Sequence, residues 1–148
     1  MFTIRVYGIC IEDQKVLVSD EYIHGHFITK FPGGGLHFGE GTVECLVREM
    51  TEETGQQVEV LDHFYTTDFF QASVFDPSKQ VLSIYYRYRF IDSPLFQVRE
   101  KVFDFPELKE AAQSFRWIPL KGLRAEDFTL PIDQRVGGML VDRFGDQK

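Results

Sequence analysis

The stretch FPGGGLHFGEGTVECLVREMTEETG, residues 31–55, crowds Glu40, Arg48, Glu49, Glu52 and Glu53 behind a run of glycines. Glutamates on a helix ordinarily form a solvated face, but this arrangement carries a cost. Glu49 and Glu53 stand at (i, i+4), where like charges destabilise a helix by roughly a few tenths of a kcal/mol. The loop ahead of them is specialised too. Gly33, Gly34, Gly35 and Gly39 permit tight turns and close approach of backbone to a ligand. A hard divalent cation would relieve the repulsion, because Mg²⁺ takes oxygen ligands and commonly shares them with substrate phosphates. No Ser-His or Cys-His nucleophile arrangement is evident beside it. Cys45 falls near the carboxylates on a helical wheel, where their charge disfavours a thiolate. Water is therefore the expected nucleophile.

These side chains need a helix and a loop to aim them. The segment from Thr42 to Thr54 is predicted as that helix, with Thr42 as N-cap, Glu44 in the first turn and Gly55 as the stop. At about 100° per residue, Val43, Leu46, Val47 and Met50 make one core-facing stripe. Glu49, Glu52 and Glu53 share an arc beside it, and Glu40 can fold back from the loop.

Around this helix the pattern is rich in strands. Residues 2–11 and 16–23 read as a hairpin turning at 12–15, and 26–31 as a short strand running into Pro32. Residues 58–75 and 81–91 read as a pair across DPSKQ. Residues 94–113 are irregular, with one short helix after Pro106, and 114–120 is a further strand. Residues 131–144 read as a closing helix weakened by Gly137 and Gly138. The expected class is α/β, a mixed β-sheet with helices packed on it.

Length and composition bound the function. A chain of 148 residues fits one domain, 1–148, large enough to bury a core without staples. With 43% hydrophobic and 26% charged residues it is globular rather than disordered. A net charge of −7 makes a nucleic-acid polymer or an anionic membrane surface a poor partner. Cys10 and Cys45 have no C-x-x-C spacing, which argues against a disulfide framework or a zinc ribbon. Reduced thiols, an N-terminus without an apolar signal region and the absence of a spanning apolar run fit a cytoplasmic chain.

At this point the segment resembles the signature of the Nudix hydrolases. That signature is a Gly, five residues, a Glu, seven residues, then Arg-Glu-apolar-x-Glu-Glu-x-Gly-apolar. Here it is filled by Gly34, Glu40, Arg48, Glu49, Met50, Glu52, Glu53 and Gly55. FRWIPLKGL also looks like a late strand of the family, so the resemblance extends along the chain. There are two departures. Gln56 stands at the final, usually apolar position, and His37 stands where many members carry an acid.

The resemblance implies an α/β/α sandwich with a mixed sheet and a catalytic loop-helix-loop. It implies Mg²⁺ or Mn²⁺ held by Glu49, Glu52, Glu53 and the Gly33 carbonyl, with Arg48 orienting a carboxylate and Glu40 supporting the cluster. The reaction implied is hydrolysis of a diphosphate linkage in a small molecule, often a nucleoside diphosphate derivative. Which carboxylate acts as base stays open, and Glu100, Glu107 and Glu110 in the irregular segment are further candidates. Pairing into a homodimer is also implied.

Other residues carry weaker signals. Arg87 and Arg89 alternate with Tyr86, Tyr88 and Phe90, which gives a strand one basic and one aromatic face. The arginines are candidates for substrate phosphate, against an ion-paired or solvated face. His37 is a substrate-side candidate against a loop histidine with no role. His24 and His26 form an H-x-H pair, but hard cations prefer oxygen. Trp117 is read as core before base-stacking platform. Two rivals stand beside the hydrolase: a sensor module that binds a nucleotide without cleaving it, and a hydrolase of a non-nucleotide diphosphate. The complete glutamate set argues against the sensor. No Pro or Tyr at the expected distance after the box marks a familiar substrate class.

Overall fold

Strand β1 (Phe2–Ile9) is β-branched and aromatic along its length, and its last residues are wholly buried. In the computed structural model, which describes residues 1–145, it is central to a mixed sheet ordered β5-β1-β7-β6. β5 (Gly33–Gly35) and β6 (Val58–Thr66) form the edges, and β7 (Gln80–Phe90) runs parallel to β1. The other pairings in this sheet are antiparallel. A second sheet is antiparallel throughout. It joins β2 (Ile11–Glu12), β3 (Lys15–Ile23) and β4 (His26–Lys30), with β8 (Gln113–Pro119) on the other side of β3. Two sheets thus stand where the sequence suggested one. The chain falls into two compact units, residues 1–10 with 32–96, and residues 11–31 with those from 97 onward. The last three residues of the expected domain 1–148 lie outside the described residues.

The first unit holds the mixed sheet and helix α1 (Thr42–Thr54), whose bounds match the sequence expectation. Its N-cap is Gly41 rather than Thr42. The Glu44 carboxylate accepts from the Gly41 N–H at 3.1 Å, which satisfies the backbone one residue earlier than expected. Gly55 ends the helix in the left-handed region at φ 74°. The buried face is Cys45, Leu46 and Met50, while Val43 is exposed. The apolar stripe is therefore rotated from the expected one, and Glu49 is drawn inward with it. Burying Leu46 and Met50 contributes about 1.5–3 kcal/mol each.

Gly8 explains how the helix sits so close to the sheet. A Cβ there would lie 2.3 Å from Tyr88 Cε1 and 3.1 Å from Leu46 Cδ1. The Tyr88 ring fills the space that a side chain at Gly8 would need.

In the second unit, Asp20 is fully buried on β3. It accepts from Arg116 Nε at 2.9 Å and Nη2 at 3.0 Å, and from Thr29 Oγ1 at 2.7 Å. This hydrogen-bonded pairing is what makes a buried charge tolerable. Helix α2 (Pro131–Phe144) forms over the expected range despite its two glycines. Gly137 has a packing reason, since a Cβ would meet the Phe128 ring at 2.6 Å. The short helix expected after Pro106 is absent. Ala111 takes a positive φ of 65°, and residues 111 and 112 exchange backbone hydrogen bonds with Tyr22. Strand-like pairing wins over a helix too short to nucleate.

Candidate active site

Arg48 stands at the centre of the box carboxylates. Its Nε donates to Glu40 Oε2 at 2.9 Å and its Nη2 to Glu40 Oε1 at 2.7 Å, a fork-on-carboxylate contact. Nη2 also donates to the Gly35 carbonyl at 3.0 Å. Nη1 donates to Glu49 Oε1 at 3.0 Å and to Glu52 at 3.2 and 3.4 Å. The positive charge that the glutamate cluster demands is thus supplied, in this structure, by the arginine of the same helix.

Two local features aim these groups. Gly34, paired with Val6 of β1, lies beneath Glu49, and a Cβ on it would fall 2.5 Å from the Glu49 carboxylate. The glycine is a cradle for that side chain, whose exposure is only 14%. Gly33 is equally constrained, with φ 142° and no room for a Cβ beside Val6 O. At the other end, Tyr86 on β7 shares a 2.6 Å hydrogen bond with Thr42 Oγ1 and ties the start of α1 to the sheet. Nothing local in the sequence marks Tyr86 for this, because its partner lies far along the chain.

Glu40 is fixed from both sides. The His37 backbone N–H donates to its Oε1 at 2.9 Å, while the His37 ring is exposed. The Arg48 guanidinium, joined by that N–H, holds the Glu40 carboxyl down to about 2 from its ordinary 4.5. The group is therefore more acidic folded than unfolded, so it stabilises the fold above pH 4.5 and that contribution is lost as pH falls through about 2. Urea midpoints measured across this acid window should fall less steeply for Glu40→Gln than for the wild type. An identical slope in both would separate Glu40 from the acid transition. Cys45 shifts the opposite way. Burial, and then Glu40 beside it, push its thiol up to about 11, so it stays protonated at neutral pH. It donates to the Gly35 carbonyl at 3.5 Å.

Glu52 is the open member of the set, 58% exposed. Glu53 is half-buried, with Oε2 wholly so. Among the described residues no group of three or more His, Cys, Asp or Glu side chains is arranged to hold a metal ion as it stands. The donor types nevertheless fit a hard cation. They are all oxygen, they come from one helix face and a side-chain-free strand, and Glu49 and Glu52 already converge on a cationic atom.

The structure does not bring Arg87 and Arg89 into this cluster. The Tyr86 hydroxyl meets α1, so by strand alternation the two arginines project from the other face of the sheet. There Arg87 Nε lies 3.6 Å from Asp62, and Arg89 Nη2 lies 3.0 Å from Glu59. Glu107 lies beside Lys109, and Glu110 beside His24. Gln56 has a use that its place in the box did not suggest. Its amide donates to Ser93 O at 3.1 Å and accepts from the Leu95 and Phe96 N–H groups at 2.6 and 3.2 Å, pinning the segment after β7. The departure from an apolar residue was the signal.

A NUDIX domain model matches residues 1–136. The chain belongs to the Nudix family. Solved Nudix structures share its fold at low identity. A Nudix hydrolase from Nitrosomonas europaea is 17% identical with a TM-score of 0.69, over 91% of this chain and 85% of that one. An ADP-ribose pyrophosphatase from Streptococcus suis is 15% identical with a TM-score of 0.58, over 98% and 94%. A UDP-X diphosphatase is 19% identical with a TM-score of 0.62, over 96% of this chain but 60% of that one. No curated protein matches the chain significantly. The family expected from the box and the mixed α/β class are borne out. Cys10 and Cys45 are both buried, and neither is in a disulfide among the described residues. No helix among the described residues is long and apolar enough to cross a membrane.

Proposed function

We propose that this Nudix domain hydrolyses a diphosphate linkage in a nucleoside diphosphate derivative, using Mg²⁺ or Mn²⁺. The observation that carries the reading is the convergence of Glu40, Glu49 and Glu52 on one guanidinium above a side-chain-free glycine strand. Glu49, Glu52, Glu53 and the Gly33 carbonyl would hold the cation. When bound, such a cation neutralises phosphate oxygens and activates the attacking water.

The rest falls to the chain's own residues. Glu49 is held in place by the Gly34 cradle, and Glu40 is locked onto Arg48. Glu52 is the exposed carboxylate and takes the proton of the attacking water. Phosphoryl chemistry of this kind needs placement and charge stabilisation more than covalent help. Cys45, protonated and buried, is not the nucleophile. The nucleotide preference follows the family and the substrates named for two of its structural neighbours.

Hydrolysis in ¹⁸O-labelled water tests the reading against a panel of nucleotide sugars, dinucleotides, nucleoside triphosphates and non-nucleotide diphosphates. Label should enter one phosphate product, and only with the cation present. Tight binding of one compound without turnover would make the domain a sensor. Turnover of non-nucleotide diphosphates alone would keep the chemistry and replace the substrate class.

A further inference from the structure

The two edges of Arg48 differ in their partners, and only the Nη1 end meets an open carboxylate. The Nε/Nη2 edge makes three contacts at 2.7–3.0 Å, to a carboxylate that is 15% exposed and to a strand carbonyl, and a longer one to Cys45 Sγ at 3.7 Å. Glu40 is itself fastened by the His37 N–H. The Nη1 end reaches Glu49 at 3.0 Å and the open Glu52 at 3.2 and 3.4 Å. Of the two carboxylates it touches, Glu49 does not depend on it for position, because the Gly34 cradle confines that side chain independently.

We infer that Arg48 is a built-in placeholder for the cation. Its Nη1 end neutralises Glu49 and Glu52 in the metal-free protein and gives them up when a divalent ion binds, while its Nε/Nη2 edge stays on Glu40 and Gly35. The inference rests on the metal site proposed above. Its physical basis is that a fixed positive charge within a few ångströms of a cation site opposes cation binding, at close range and with little screening. Without a counter-charge, the open Glu52 would be repelled by the confined Glu49 and swing out. The arginine keeps it gathered at the cost of competing with the ion. It is a positioning residue that also sets how tightly the site takes its metal. A plain organising role predicts the opposite sign, since loss of an organiser weakens binding.

Calorimetric titration with MnCl₂ of the wild type and of Arg48→Gln separates these. The placeholder predicts that Arg48→Gln binds Mn²⁺ at least about tenfold more tightly than the wild type. Weaker binding by a folded variant overturns it while leaving the metal site standing. No Mn²⁺ binding by the wild type removes both the inference and the site beneath it. A second measurement needs no substitution. In the wild type, guanidinium NMR should show restricted rotation about the Arg48 Cζ–Nη1 bond that becomes free on saturation with MgCl₂, while the Nε–H signal keeps its hydrogen-bonded shift. An Nη1 that stays restricted, or an Nε–H that moves to the free position, overturns the placeholder.

Discussion

Glu52→Gln should lose activity by roughly 10²–10⁴-fold, the usual contribution of a positioned acid–base group, and should melt close to the wild-type temperature. The asymmetry follows from where Glu52 sits. It lies on α1 with 58% of its side chain exposed. Its contacts to Arg48, at 3.2 and 3.4 Å, are the longest that the guanidinium makes to a carboxylate. An exposed (i, i+4) ion pair of this kind contributes about 0.3–0.5 kcal/mol to a helix, so its loss barely registers in the fold. The amide of Gln keeps the shape and removes the charge and the basicity. Steady-state kinetics and thermal unfolding on the same samples check both halves. Activity retained within a few-fold would mean that Glu52 is a surface residue and that the proton goes elsewhere. A large drop in melting temperature would mean that its link to Arg48 is structural.

How much of this could be read from the sequence depends on the range over which each feature is determined. Helix α1 was legible because its signals are local, from the glycine at 55 that takes a positive φ to the glutamate spacing that shares one face. The carboxylate constellation was legible for the same reason. The rotation of the helix was not. Val43 satisfied the apolar periodicity yet is exposed, because the sheet beneath α1 has Gly8 and Tyr88 where they accept Leu46 rather than Val43, and Cys45 turns to the Gly35 carbonyl. The partner of Arg48 was legible only as some carboxylate. That it forks onto Glu40 and only reaches Glu49 and Glu52 depends on the fold of the loop between β5 and α1. The arginines of β7 show the same limit. Alternation correctly separated them from the tyrosines, but which face met the helix was settled by Tyr86 reaching Thr42. The loss of the expected helix after Pro106 is again non-local, since Tyr22 supplies the competing backbone partners.

Gly34→Ala should cost more than a single methyl ordinarily does, and should do so without unfolding the protein. The added Cβ would stand 2.5 Å from Glu49 Cδ and Oε1, closer than atoms can approach. The obstacle is the far end of a flexible side chain, so Glu49 yields and the β5–β1 pairing at Val6 survives. What is lost is the position of a carboxylate on which the site depends. Misplacement by about 1 Å costs on the order of 10²-fold in rate, and Mn²⁺ affinity should weaken with it. Gly35→Ala is the internal control. Its Cβ would face Arg5 Nη1 at 3.5 Å, an ordinary contact on the opposite side of the strand, so activity should stay near that of the wild type. A double-mutant cycle then decides whether the damage passes through Glu49. Shortening that residue to Asp leaves room for the methyl, so Gly34→Ala should cost far less in the Glu49→Asp background than in the wild type. Equal costs in the two backgrounds would show that the alanine acts on the backbone of β5, and the cradle would no longer explain why a glycine stands there.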